Sequence, residues 1–220
     1  TPLTIQRINN HYHDQKISIP IASATSIRKE ISQDGGWNPS IDATVPSATE
    51  MNMKVYHQET NRWHLWEQYF PFLLYRILTS SVEELQAIHD MKEGLENRIY
   101  QAAERATSFQ NLMEEVKTKR YTWTSLQRIF THILTNTTTK EIQLLRSEQP
   151  EVRILGMNQT GRDYLRYIKN KDDQTFYTSS KPPYRYSDLV RRVNHAYYSI
   201  LSPQQRKIRY QLEYRAPILV

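Results

Sequence analysis

From Arg62 to about residue 200, apolar side chains recur three and four positions apart. That spacing puts one apolar stripe on each of a series of α-helices and leaves little room for an extended sheet. In "RWHLWEQYFPFLLYRIL" the residues Leu65, Trp66, Tyr69, Phe70, Leu73, Leu74 and Ile77 share a broad face, with Pro71 expected to kink or restart the helix. Ser81 and Glu84 form a capping box for "SSVEELQAIHDM". Leu95, Ile99, Ala102 and Ala103 mark the next helix, Ser108 caps "SFQNLMEEVKT", and Thr122 or Thr124 caps "TWTSLQRIFTHILTN". The stretch "TTKEIQLLRSEQ" continues the bundle. "VRILGM" then reads as a strand or buried turn, "TGRDYLRYIK" as a helix, and "SDLVRRVNHAYYSIL" as a last helix opened by Ser187 and finished before Pro203. Only 5 of 220 residues are glycine while 15 are tyrosine, which disfavours both disorder and an all-β fold with glycine-rich turns.

The first 45 residues differ. Leu3, Ile5 and Ile8 alternate as in one strand, and "ISIPIASATSIRKEI" is a loop feeding a short helix. "DGGWNPSIDATVPS" at 34–47 gathers the residues of a linker. The boundary is therefore set there, giving regions 1–45 and 46–220. Charge divides the second region again: residues 46–118 carry seven basic and eleven acidic side chains, whereas 119–220 carry eighteen and eight. A polyanion would meet the second of these. The chain has no cysteine, which removes thiol nucleophiles and cysteine-ligated metals. No apolar run is long enough for a membrane span and no signal peptide is visible, so a cytoplasmic protein without a membrane is expected. Residue 1 is threonine, and the expectation is a fragment.

"ASATSIRKEI" at 22–31 supports two readings. Ser23, Thr25 or Ser26 caps a helix and satisfies its first N–H groups. Alternatively, those hydroxyls and N–H groups, with Arg28 and Lys29 close behind, cradle phosphate oxygens, an attraction that offsets the cost of cations near the positive end of the helix dipole.

"SATSIR" resembles the S-x-T-x-I-R motif of the HIGH-type adenylyltransferases. Together with "RINNHYHD", "EGLENRI" at 93–99, "KRYTWTSLQRIFTHIL" at 119–134 and "RILGMN" at 153–158, the match narrows to the bacterial tRNA(Met) cytidine acetate ligases and spans nearly all of residues 1–215. The resemblance implies that ATP, accompanied by Mg2+, activates acetate as acetyl-adenylate, and that N4 of the wobble cytidine of elongator tRNA(Met) is then acetylated. It assigns Arg7 and Ile8 to the nucleotide, Ser23, Thr25 and Arg28 to the phosphates, and to Arg28 the catalytic role of meeting the departing pyrophosphate. The family's HIGH-like element has no counterpart here, so part of an active site that does not turn over alone is expected. The expected fold class is mainly α: a helical RNA-binding domain at 46–220, preceded by the tail end of a Rossmann-like α/β nucleotidyltransferase domain at 1–45.

Other positions carry paired readings. Lys117, Lys119 and Arg120 lead into a helix bearing Arg128, with Tyr121 and Trp123 interleaved, which suits phosphate contact and stacking on an unpaired base. The same helix has core spacing at Trp123, Leu126, Ile129, Phe130 and Ile133, leaving the cations as a solvated face. Arg191 and Arg192 extend the basic track. "EGLENRI" is either a helix start, with Glu93 and Glu96 complementing the dipole, or an active-site helix acting through Asn97 or Arg98. His11 and His13 share one face of an extended segment, but two histidines do not close a zinc site, and no metal is expected. The reading from another class is a non-catalytic helical RNA-binding module.

Overall fold

The computed structural model describes residues 22–33, 36–147, 152–168, 176–177 and 187–220. The expected strand around Ile5 lies outside them, as do His11 and His13. The chain divides into two compact units, Thr1–Leu65 and Trp66–Val220. Among the described residues no helix is long and apolar enough to cross a membrane.

The first unit holds α1 (Ala24–Gln33), α2 (Pro39–Asp42) and α3 (Ser47–Thr60). Asn38 starts α2: its side-chain oxygen accepts the Ser40 N–H at 2.9 Å, with Pro39 at the first helical position where no N–H is needed. Asn61 ends α3 in the left-handed conformation, φ 50°, donating its N–H to the His57 carbonyl. α3 falls inside the helical region expected at 46–220, although "SATEMNMKVYHQET" has too few apolar residues to draw a stripe that would outline it. Within the breaker-rich stretch, Trp37 donates Nε1–H to Asp42 at 2.5 Å, and Lys54 of α3 reaches the same carboxylate at 3.1 Å.

The second unit is built on α4 (Trp66–Leu78), α5 (Val82–Gln86), α6 (Leu95–Ala103), α7 (Phe109–Val116) and α8 (Trp123–Leu134). Leu73, Ile77, Ile99, Leu112, Met113, Leu126, Phe130 and Ile133 are wholly enclosed where these helices meet. Trp66 stacks on Phe109 with centroids 4.5 Å apart, and Phe109 meets the edge of Phe130 at 5.8 Å. Each such side chain contributes roughly 1.5–3 kcal/mol on leaving water. The expected caps form: Ser81 and Glu84 make a reciprocal box, Ser108 accepts from Asn111 N–H, and Thr122 accepts from Ser125 N–H. Glu67 reinforces α7 from afar, accepting the N–H groups of Phe109 at 2.9 Å and Gln110 at 3.0 Å. Pro71 neither ends nor restarts α4, which continues through it to Leu78.

Beyond the bundle come α9 (Thr139–Arg146), β1 (Val152–Arg153), β2 (Gly156–Met157), α10 (Gln159–Ile168), β3 (Phe176–Tyr177), α11 (Ser187–Tyr198), α12 (Pro203–Glu213) and β4 (Ile218–Leu219). "VRILGM" thus supplies two strands, each pairing in parallel with a distant segment: Val152 opposite Phe176, and Gly156 opposite Ile218. Pro203, read from sequence as a terminator, is instead the first residue of α12, behind a capping box of Ser202 and Gln205. Ser187 is the first residue of α11 rather than the one before it.

Candidate nucleotide and RNA interface

Ser23 stands directly before α1, and its Oγ accepts the Ser26 N–H at 3.1 Å. Ser26, fully buried, returns its own hydroxyl to the Ser23 carbonyl at 2.8 Å. The capping interaction is therefore present, made by Ser23. It leaves the N–H groups of Ala24 and Thr25 with no acceptor among the described residues, at the positive end of the helix. Thr25 is exposed. Arg28 is the fifth residue of α1, exposed, with no ion pair among the described residues. Glu30, two positions on, accepts from Asn38 and Ser40 at 3.3 and 3.1 Å. Arg7 and Ile8 lie outside the described residues.

Around the basic block the chain makes a tight turn in which Tyr121 N–H reaches the Thr118 carbonyl at 3.3 Å. Lys117, Lys119 and Arg120 are all exposed there. The Arg120 guanidinium lies 5.6 Å from the Tyr121 ring centroid, and that ring, like Trp123, leans on the core while half-exposed. A cation, an aromatic edge and a solvent-facing loop are thus brought together, as stacking and phosphate contact require.

Arg128, Arg191, Arg192 and Arg98 have intramolecular partners. Arg128 bonds Asp90 at 2.6 Å while its side chain remains 60% exposed. Arg191 pairs with Asp188 at 2.6 Å, and this hydrogen bond holds that carboxyl below its usual range. Arg192 ties α11 to α9, gripping Glu141 at 2.6 Å, Asp188 at 2.5 Å and the Thr135 carbonyl at 3.0 Å. The bond to Glu141 is the main reason its guanidinium is raised still further above its ordinary value. Arg98 of "EGLENRI" donates to the carbonyls of Val116 and Glu115 at 2.9 and 2.6 Å, closing the end of α7. Its neighbour Glu96 is buried and accepts from Gln86, the Gly94 N–H and Asn97. In this block the helix-building role is what the contacts describe.

A family model described as HIGH Nucleotidyl Transferase matches residues 1–211. The chain belongs to the HIGH nucleotidyl transferase family. Within that family it is 45% identical to the tRNA(Met) cytidine acetate ligase of Oceanobacillus iheyensis, over all of this chain and 55% of the relative. It is 43% identical to the protein of the same name from Bacillus mycoides, over 95% of this chain and 53% of that one. The chain thus spans about half the length of these curated relatives. The fold is also that of Thermotoga maritima TmcAL, solved with alpha-thio ATP, at TM-score 0.75 and 19% identity over 92% of this chain and 53% of that one.

Two clusters escaped the sequence reading. In the first unit Trp37 and Trp63 face each other with centroids 6.2 Å apart, and His57 stacks on Trp63 at 4.4 Å. Nearby, Tyr56 hydrogen-bonds His64, whose burial lowers its pKa to about 4. In the second unit His89, Asp90 and His132 converge from segments more than forty residues apart. Burial, then the neighbouring His89, lowers the His132 pKa, with Asp90 opposing. No spacing rule joins positions so far apart; the apolar stripe of α8, which fixes where His132 falls, was the only sequence signal.

Proposed function

We propose that this chain serves an ATP-dependent ligase that activates acetate as acetyl-adenylate and then acetylates N4 of the wobble cytidine of elongator tRNA(Met). The observation that carries the reading is the 45% identity, over the whole chain, to a relative bearing that name. A carboxylate oxygen of acetate attacks the α-phosphorus and pyrophosphate leaves; the cytidine amine then attacks the acetyl carbon and AMP leaves. Such a displacement needs positioning and neutralisation of the leaving phosphates rather than a protein nucleophile. On this chain the start of α1 suits that task, with the N–H groups of Ala24 and Thr25 and the exposed Arg28 one turn further on. Ser23 acts mainly by shaping the loop through its cap. Arg7 and Ile8 complete the nucleotide side in this reading. Magnesium takes oxygen ligands and would arrive with the triphosphate, a poor match to the histidines around Asp90.

The tRNA meets the second unit through Lys117, Lys119, Arg120 and Tyr121, the exposed turn that combines charge with an aromatic edge. Arg128 and Arg191 join it by exchanging or sharing their carboxylate partners, whereas Arg192, half-buried and triply bonded, supports the surface from below.

The test uses the protein that carries this chain, with ATP, labelled acetate and unmodified elongator tRNA(Met). Arg28→Ala is expected to lose acetyl-adenylate formation with tRNA affinity nearly unchanged. A Lys119→Ala/Arg120→Ala pair is expected to weaken tRNA binding and flatten its salt dependence, with adenylate formation intact. Salt-sensitive tRNA binding with no adenylate formation by the unaltered protein would favour a non-catalytic RNA-binding module instead.

A further inference from the structure

We propose that His89, Asp90 and His132 form a binding site for a divalent transition-metal ion of the zinc type, independent of the acetate-ligase reading. The three residues come from two rigid elements, the turn after α5 and the buried-stripe helix α8, and one ligand atom from each lies within 4.8 Å of the other two. His89 Nε2 is 3.8 Å from one Asp90 oxygen, and His132 Nε2 is 3.9 Å from the other. Around a tetrahedral ion with bonds of about 2.0–2.1 Å, neighbouring ligand atoms stand roughly 3.3 Å apart. These two separations exceed that by about half an ångström but involve different Asp90 oxygens; the three ligand atoms taken together lie within 4.8 Å, so side-chain rotations must draw them onto one ion.

The backbone holds the arrangement in place. The His89 N–H is bonded to the Thr137 carbonyl at 2.9 Å, and Met91 N–H to that of Ile88 at 3.2 Å. Asp90 between them adopts φ 64°, a left-handed conformation that asparagine and aspartate tolerate better than most residues. The His89 ring meets the His132 ring edge to face with centroids 5.1 Å apart, and its buried Nδ1 has no hydrogen-bond partner among the described residues, which leaves that nitrogen open as well as Nε2. Arg128 on Asp90 is compatible with a bound ion: one carboxylate oxygen binds the metal while the other stays on the guanidinium, the outer-shell contact that metal-ligating carboxylates usually have. Two imidazoles and one carboxylate make a donor set for zinc or cobalt rather than magnesium or calcium. The site opens on a depression of about 560 Å³ that Arg128 and Arg146 also line, leaving a fourth position for water or an anionic oxygen.

The experiment titrates the metal-stripped protein separately with Zn2+, by calorimetry, and with Co2+, by visible absorption. One saturable equivalent and the intense cobalt bands of four-coordinate geometry are expected. His132→Gln and Asp90→Asn should each weaken binding by more than the roughly 10–100-fold typical of losing an outer-shell partner. Circular dichroism establishes that each variant is folded; should His132→Gln unfold, Asp90→Asn, which retains the left-handed preference, carries the comparison. The proposal is overturned by absence of saturable binding of either ion, or by an affinity that survives His89→Gln combined with Asp90→Asn, which would locate the ion elsewhere on the chain.

Discussion

The helices α4–α8 and the helices α10–α12 are written in the same 3.6-residue periodicity, yet their apolar stripes meet different fates. In the first group Leu73, Ile99, Leu112, Leu126 and Phe130 are wholly buried. In the second, Tyr164, Tyr167, Tyr197, Ile208 and Leu212 are 44–61% exposed, and among the described residues of that part of the chain only Ile168 and Leu201 are enclosed. Periodicity therefore reports the tendency to form a helix; whether its stripe is covered depends on how many neighbours arrive. The bundle is held by dispersion and exclusion of water. The later segment is held by hydrogen-bonded anchors: Arg192 on Glu141, Arg153 on the Glu213 carbonyl, and Tyr69 reaching the Tyr197 carbonyl at 2.8 Å.

This contrast can be broken in graded steps. Leu112→Ala removes side-chain volume from a site with no solvent access and should cost about 3–4 kcal/mol in chemical denaturation. Arg192→Ala strips the α9–α11 anchor, leaving a half-buried Glu141 without its partner; about 2 kcal/mol is expected, with α11 losing hydrogen-exchange protection before the bundle does. A uniform loss of protection would mean that the two regions unfold as one.

The first unit supplies a pH-dependent comparison. Because His64 falls to about 4 when folded, its contribution is complete above the unfolded value near 6.5 and shrinks as pH drops from there toward about 4. Allowing for its remaining solvent access, the loss should be about 1–2 kcal/mol. Melts at pH 7 and pH 5 should differ by correspondingly less in His64→Gln. Ser202→Ala should cost about 1 kcal/mol by undoing the box that starts α12. Leu212→Ala, 44% exposed, should change stability by no more than about 0.5 kcal/mol; a core-sized loss would show that its stripe is covered in solution.

What could be read in advance was local. Ser81 with Glu84, Ser108 and Thr122 announce helix starts because each cap lies within three residues of the N–H it serves. Pro203 misled, since a proline that cannot continue one helix is equally fitted to open the next. The site was legible only in part: "SATSIR" marked the start of α1, but that Ser23 rather than Thr25 caps it is a matter of three-dimensional geometry. Nor does the sequence tell an arginine that closes a helix, such as Arg98, from one that faces solvent, such as Arg120, because the deciding carbonyls at 115 and 116 come from another element.

Glu67 has a consequence for the order of assembly. Its carboxylate serves the opening of α7 from 42 positions back along the chain, so this helix does not carry everything it needs to begin. A peptide limited to residues 107–118 would lack that carboxylate and should be poorly helical in isolation. During refolding, α4 must dock before the first turn of α7 becomes secure, which ties the birth of a short local element to the closure of a long loop.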